Sequence, residues 1–425
     1  MITVSNIRIE EHSNTVRLVC DVTSNIEYKV LDLNNKTMWF EVPIENKNMF
    51  NTQVYDPFFL VPLYLAMFFH TNLKICGKMS KKLYFNTINY IQKILCNFSN
   101  HLEKIEIEVD GFSTVSSDDS KLVGTGISCG IDSLSTIYDH FVIESDMEYR
   151  INSLFLFNCG THGSFDSPKT SRVFEARYQL NKTAAEDLRL PIYVVNSNLH
   201  EFRNETIDKN FEKSTFFALY SCVLALQGSI SKYYVSSACE YNDILTYGLS
   251  YQNIDVAGFS ESYLIPLIQT EKLSLIIDGC QYKRSEKTER IADWQIAQKH
   301  LNVCVNTDNH AHNCSYCSKC IRTLMILDAM GKINKFEQVF DLDTYYKKKE
   351  LNMMEITLKN GKDCFSTDIY NYANAHGMKM PSKKEAYRYF SKQRQLSMTE
   401  RIQEFYWKFR GLIGRVKRAV LSNNV

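Results

Sequence analysis

Between Leu122 and Gly331 the chain alternates short apolar runs with helix-like segments, and this rhythm constrains the fold more than any other feature. The runs are LVGTGIS (122–128), SLFLFN (153–158), PIYVVN (191–196), KYYVSS (232–237) and SLIIDG (274–279). Helical patterns lie between them: from about Asp132, through the 170s and 180s, over Thr215–Leu226 and over Ser285–His300. Nearly continuous apolar strands separated by helices imply a parallel sheet covered on both faces. The expected fold class is therefore α/β with a parallel five-stranded core. Such sheets bind ligands beyond the carboxyl ends of their strands, so the first strand-to-helix turn is where chemistry is expected.

The flanking regions have other patterns. In residues 1–115, Val16, Leu18, Cys20 and Val22 alternate with polar or opposite-face residues, and the stretches 27–33 and 38–44 are similar, which predicts a small antiparallel sheet. Helical segments follow at Pro57–Phe69 and Leu83–Phe98, and KIEIEVDG (104–111) returns to a strand. The polar link STVSSDDSK (113–121) marks a boundary. The expected domains are thus an α+β domain at 1–115, the alternating domain at 116–335 and a helical extension at 336–425. Residues 381–425 carry eleven Lys or Arg against three Glu, a local balance of +8. That stretch reads either as a surface for an acidic partner, nucleic acid or membrane headgroups, or as a solvated amphipathic helix packed on a core.

Over the whole chain, 49 Lys plus Arg against 48 Asp plus Glu leave a net charge of +1, so no global field steers it to nucleic acid or membrane. The start, MITVSNIRIEEH, lacks the basic-then-apolar order of a secretory leader. The longest apolar run, Pro57–Phe69, falls short of the roughly 20 residues that cross a bilayer. A cytoplasmic chain without a membrane span is expected, with its thirteen cysteines as thiols or metal ligands rather than disulfides.

Four of those cysteines, Cys304, Cys314, Cys317 and Cys320, form C-x9-C-x2-C-x2-C. Tight C-x2-C spacing turns two thiolates onto one ion, and four soft ligands close a tetrahedron around zinc. Leu324 stands where a bacterial-type iron–sulfur run would place its last cysteine, which argues for zinc. His310 and His312 lie in the same loop and offer a substitute ligand. A redox C-x-x-C would leave Cys304 and Cys320 without a role.

The first turn, GTGISCGIDS (124–133), contains two overlapping motifs. Gly126–Gly130 matches G-x-S-x-G, the nucleophile elbow of serine hydrolases, with Ser128 as nucleophile and Asp368 and His376 following in triad order. Alternatively, small residues at Gly126 and Gly130 let backbone N–H groups approach an anion, with Ser128 and Ser133 adding hydroxyls and Asp132 holding a magnesium ion or capping the helix. A serine-rich cap on an ordinary strand–turn–helix is the plainest account.

SCGIDS resembles the S-G-G-x-D-S loop of the PP-loop ATP pyrophosphatases, and the four cysteines resemble the zinc site of the 7-cyano-7-deazaguanine synthases in that family. FLFNCGTHG (155–163), SSACEYND (236–243) and KRSEKTERI (283–291) resemble further segments, so the likeness spans about residues 120–330. It implies a Rossmann-like nucleotide alpha-hydrolase core using ATP, Mg2+ and Zn2+. It also implies an AMP-forming C–N ligase that adenylates 7-carboxy-7-deazaguanine or a related acid and passes it to a nitrogen nucleophile. By position, Ser128, Gly130, Asp132 and Ser133 would bind the phosphates, Cys304, Cys314, Cys317 and Cys320 the zinc, and Lys287 and Arg322 the developing negative charge.

The chain also departs from that pattern. Cys129 replaces the first motif glycine and places a side chain where the loop is tightest. The N-terminal domain and the basic tail are additions, which suggests an acceptor other than ammonia: a partner protein's amine, as in relatives found in antiviral defence. Sulfur transfer, with Cys129, Cys159 or Cys239 carrying a persulfide, and a binding role without turnover are the remaining classes.

Overall fold

The computed structural model describes residues 1–24, 26–28, 31–32, 36–113, 122–160, 168–202, 211–247, 257–305 and 312–394. The chain divides into two compact units, Met1–Leu342 and Asp343–Val425.

The strands, in chain order, are β1 (Ile2–Glu11), β2 (Thr15–Ser24), the two-residue β3 (Glu27–Tyr28) and β4 (Leu31–Asp32), β5 (Lys36–Pro43), β6 (Leu73–Met79), β7 (Ile107–Phe112), β8 (Leu122–Gly126), β9 (Ser153–Asn158), β10 (Ile192–Ser197), β11 (Ile230–Ser236) and β12 (Ser274–Asp278). Ten of them form one mixed sheet in the order β12-β11-β8-β9-β10-β5-β2-β1-β6-β7, and β3 pairs with β4. The fold is α/β, built on a large mixed sheet with many helices.

Each of the five apolar runs forms one of the strands β8 to β12, and these pair in parallel. Their spatial order puts the first strand between the second and the fourth, so successive crossovers leave β8 in opposite directions. A crevice opens beyond its carboxyl end at such a switch point. Intervening helices at Ile131–Ile137, Pro168–Leu188 and Phe211–Ala225 complete the alternation.

The predicted antiparallel strands are β2 and β5, joined by β1. They continue the same sheet, because β5 pairs antiparallel with β10 through Asn196–Glu41 and Ser197–Phe40. Side chains extend this short ladder. Trp39 N donates to Asn198 Oδ1 at 2.9 Å, and Ser197 Oγ donates to Trp39 O at 2.7 Å. One apolar core runs under both regions, including Phe40, Phe58, Phe59, Phe155 and Phe217. The link at 113–121 falls between β7 and β8, with 114–121 outside the described residues.

β1 and β6 are not anticipated by the sequence reading. In β1 the pairing register shifts between Ser5 and Arg8, where Asn6 takes φ +56°, and the shift breaks the two-residue alternation that signals a strand. The run Pro57–Phe69 forms a short 3-10 turn and the helix Leu60–Phe68, mostly buried. Among the described residues no helix is long and apolar enough to cross a membrane. In the second unit, helices cover Leu342–Lys359, Cys364–Ala375 and Lys383–Arg394; the rest of the predicted basic tail lies outside the described residues.

Candidate functional site

The turn after β8 is assembled by close packing and local hydrogen bonds. Gly124 lies under the Phe155 ring so closely that a Cβ there would meet Cε2 at 2.2 Å. Ser133 Oγ donates to Gly126 O at 3.0 Å and accepts from Ser128 N at 3.2 Å, while Ser128 Oγ accepts from Gly130 N at 3.3 Å. Ser133 is therefore committed to holding the turn. Ser128 is exposed, and among the described residues its hydroxyl proton is not donated.

Cys129 takes φ +55°, the left-handed region that glycine occupies freely and that costs another residue about 1 kcal/mol. Its carbonyl accepts Asn302 N at 2.7 Å. The side chain is fully buried instead of standing on the open face of the turn. Burial pushes the thiol up to about 12, with Arg177 opposing.

Two cations converge on one carboxylate beside the turn. Arg284 Nη1 meets Asp132 Oδ2 at 2.7 Å, and Lys287 Nζ lies 3.4 Å from Oδ1 while donating to Ser237 O at 2.6 Å. Both cations stand on the helix Arg284–Ile291, three residues apart and so on one face. Lys287 is only 1% exposed, and Gly279, at φ +82°, makes room for it: a Cβ there would sit 3.1 Å from Nζ. Burial works to raise the Asp132 pKa, but Arg284, Lys287 and Lys319 hold it below the usual carboxylate range. Positive charge thus exceeds negative around the turn. Arg284 Nε is also buried with no hydrogen-bond partner among the described residues.

The sulfurs of Cys304, Cys314, Cys317 and Cys320 all lie within 4.8 Å of one another. Cys314–Cys320 and Cys317–Cys304 are 3.9 and 4.0 Å apart. Zinc–sulfur bonds of about 2.3 Å place tetrahedral ligands about 3.8 Å apart, so the group can hold a metal such as zinc. Cys317 N points at Cys314 Sγ from 3.2 Å. Asn313 braces the loop, accepting from Val303 N and donating to Leu301 O and Val339 O. His312 is exposed and outside the group, and His310 lies outside the described residues.

Arg177 connects this cysteine group to the turn. Its Nη2 donates to Cys304 O and its Nη1 to Asn302 Oδ1, both at 2.8 Å, and Asn302 N in turn holds Cys129 O.

A cavity of about 350 Å³ opens beyond β8, β9 and β11. The turn contributes Ser128, Asp132 and Ser133; Phe155, Phe157 and Tyr233 form an apolar wall; Tyr220, Ser236 and Glu261 add polar groups. Burial lifts the Glu261 carboxyl to about 7, against a hydrogen bond from Tyr220.

Ser128, Gly130, Asp132, Ser133 and Lys287 are thus brought together. Arg322 lies on the helix Ser318–Ala329, one turn past Lys319 and outside the cavity lining. Arg284, Arg177 and Glu261 were not singled out from sequence, since a lone polar residue has no periodicity to mark it. Arg284 lies inside the quoted KRSEKTERI segment, three residues before Lys287, and that spacing was the available signal. For the hydrolase, Asp368 and His376 belong to the second unit, where His376 Nδ1 bonds Tyr372 O. Among the described residues no imidazole is hydrogen-bonded to Ser128. Comparison with models of known protein families, with curated proteins and with solved structures finds no match.

Proposed function

We propose that this chain is an ATP-dependent, AMP-forming ligase of the PP-loop ATP pyrophosphatase kind, activating a carboxylate and passing it to a nitrogen nucleophile. One observation carries it: a surplus of buried positive charge around Asp132, on an S-x-G-x-D-S turn at the switch point of a five-stranded parallel array. Such charge demands an anionic partner, and a nucleotide polyphosphate supplies one at the place where α/β sheets bind ligands. The strand order suits the Rossmann-like nucleotide alpha-hydrolase core that the motif implies.

The chemistry assigned to these residues follows. A carboxylate oxygen of the substrate attacks the α-phosphorus of ATP, and the bond from that phosphorus to the bridging oxygen breaks, releasing pyrophosphate. Arg284, Lys287 and the Ser128 hydroxyl meet the charge that develops on the departing oxygens. A neutral nitrogen then attacks the acyl carbon, AMP departs with the acyl C–O electron pair, and the nitrogen gives up a proton. Magnesium bound with ATP would neutralise phosphate charge, and Asp132, on the same turn, would share in holding it. A metal on the four cysteines is structural, because four protein ligands leave no open position. The acid is 7-carboxy-7-deazaguanine or a close relative, and the acceptor is ammonia or a partner protein's amine. Sulfur transfer fits less well, since Cys129, Cys159 and Cys239 are all buried.

Incubating the full chain with ATP, Mg2+ and 7-carboxy-7-deazaguanine tests this directly. AMP and pyrophosphate are the expected products, and Ser133→Ala should abolish both; ADP as the sole product, or no acid-dependent turnover, overturns the assignment.

A further inference from the structure

The proposed activity accounts for the turn and its cations but leaves two polar groups of the same cavity without a role. Glu261, from the helix Ala257–Leu264, lines the cavity and, among the described residues, accepts a single long hydrogen bond, from Tyr220 Oη at 3.5 Å. A carboxyl kept for structure is normally satisfied at short range, and the chain contains one for comparison. Asp56, more deeply buried than the partly buried Glu261, accepts from Ser80 N at 2.8 Å and from Gln227 Nε2 at 3.1 Å. Among the described residues Glu261 has no such partners, and it lines open volume. Ser236, the last residue of β11, lines that volume too, and its Oγ is buried without a hydrogen-bond partner among the described residues.

The wall beside them is aromatic, its rings tilted by 33–56° to one another. The Phe155 and Tyr233 ring centroids lie 5.8 Å apart, and those of Phe157 and Tyr233 lie 6.1 Å apart. A cavity of about 350 Å³ with apolar walls and a few convergent polar groups is at the small end of ligand pockets. The turn offers the Ser128 hydroxyl and, behind Asp132, the charge of Arg284 and Lys287, and Glu261 supplies an acceptor. A ligand that satisfies both is a planar heterocycle with an anionic substituent and, elsewhere on the ring, two adjacent N–H donors. Two parallel N–H groups in one plane match the two oxygens of a carboxylate.

We infer that Glu261 and Ser236 are the specificity groups of the cavity, Glu261 receiving the amidine-type edge of a planar, acid-bearing heterocycle and Ser236 hydrogen-bonding beside it. This rests on the ligase assignment for the acid but adds which residues read the ring. The wild-type chain should bind 7-carboxy-7-deazaguanine at least about tenfold more tightly than its analogue lacking the 2-amino group, because a site built to bond an N–H leaves buried groups unpaired when it is missing. Calorimetry on both ligands measures the ratio. Glu261→Gln should bring the ratio close to one, Ser236→Ala should weaken binding, and Glu261→Asp should retain part of the preference, which separates recognition from misfolding. Equal binding of the two ligands, no binding of either, or an unchanged ratio in Glu261→Gln overturns the inference. Discriminating binding without acid-dependent pyrophosphate exchange would sink the ligase assignment and leave the specificity residues standing. Exchange without discrimination would do the opposite.

Discussion

Replacing Asp132 by Asn tests whether the turn is an anion site held shut by its own carboxylate. The change leaves Arg284, with a side chain 9% exposed, and Lys287, 1% exposed, without their anionic partner. Breaking a buried pair on one side costs about 3–5 kcal/mol. Lys287 keeps Ser237 O and Asp132 itself is 23% exposed, so about 3 kcal/mol is the working figure. For a unit running from Met1 to Leu342, an unfolding entropy of about 2.1 cal/mol/K per residue turns this into a Tm about 4 °C lower. Pyrophosphate should reverse most of the loss: at about a hundred times its Kd a ligand adds about 2.7 kcal/mol, and the variant no longer carries a carboxylate competing for the cations. Because the Asp132 pKa is depressed in the folded state, its contribution is present above the usual Asp range and disappears as pH falls through the lower folded value. The gap between wild type and variant should therefore close on acidification below about pH 4. Thermal unfolding with and without pyrophosphate, at neutral and acidic pH, measures all of this. A variant as stable as wild type, or pyrophosphate that stabilises neither protein, would refute the assignment of the turn.

Three further outcomes follow from the geometry. The purified chain should carry one equivalent of zinc by elemental analysis. Cys317→Ser should release it and, through the Asn302 contact to Cys129, make the buried Cys129 thiol open to alkylation, which mass spectrometry reads. Gly124→Ala should cost about 1–3 kcal/mol by overpacking against Phe155, seen as a lower urea midpoint at unchanged slope. The Glu261 carboxyl, raised by burial from 4.5 to about 7, binds its proton more tightly folded than unfolded, so stability falls as pH rises through that window. Glu261→Gln should thus stabilise the ligand-free chain by at most about 3 kcal/mol at about pH 8 and hardly at all at about pH 4, as denaturant titrations at both pH values would report.

The sequence carried a good deal of this molecule on its face. Strands buried on both sides must be apolar throughout, so β8 to β12 stand out as continuous runs, and their alternation with helices names the α/β class. The cysteine spacing brings the thiols of Cys314, Cys317 and Cys320 within one turn's reach, and the S-x-G-x-D-S turn follows the first core strand. Each of these is a local pattern, set by a few residues acting on their neighbours.

What only the tertiary structure decided involves contacts between residues far apart in the chain, which leave no periodic trace. β5 joins β10 through two ladder positions and a few side-chain bonds, so nothing in either strand announces the other. Arg284 and Lys287 reach Asp132 from more than a hundred and fifty residues away, and Arg177 links the cysteine group to the turn. Cys129 illustrates the division. Its identity predicts a side chain at the tightest point of the turn, but whether that side chain meets the ligand or the interior depends on φ at that residue and on Asn302. The folded chain turns it inward, because a left-handed backbone held by a distant amide buries the thiol and leaves the open face of the turn to Ser128.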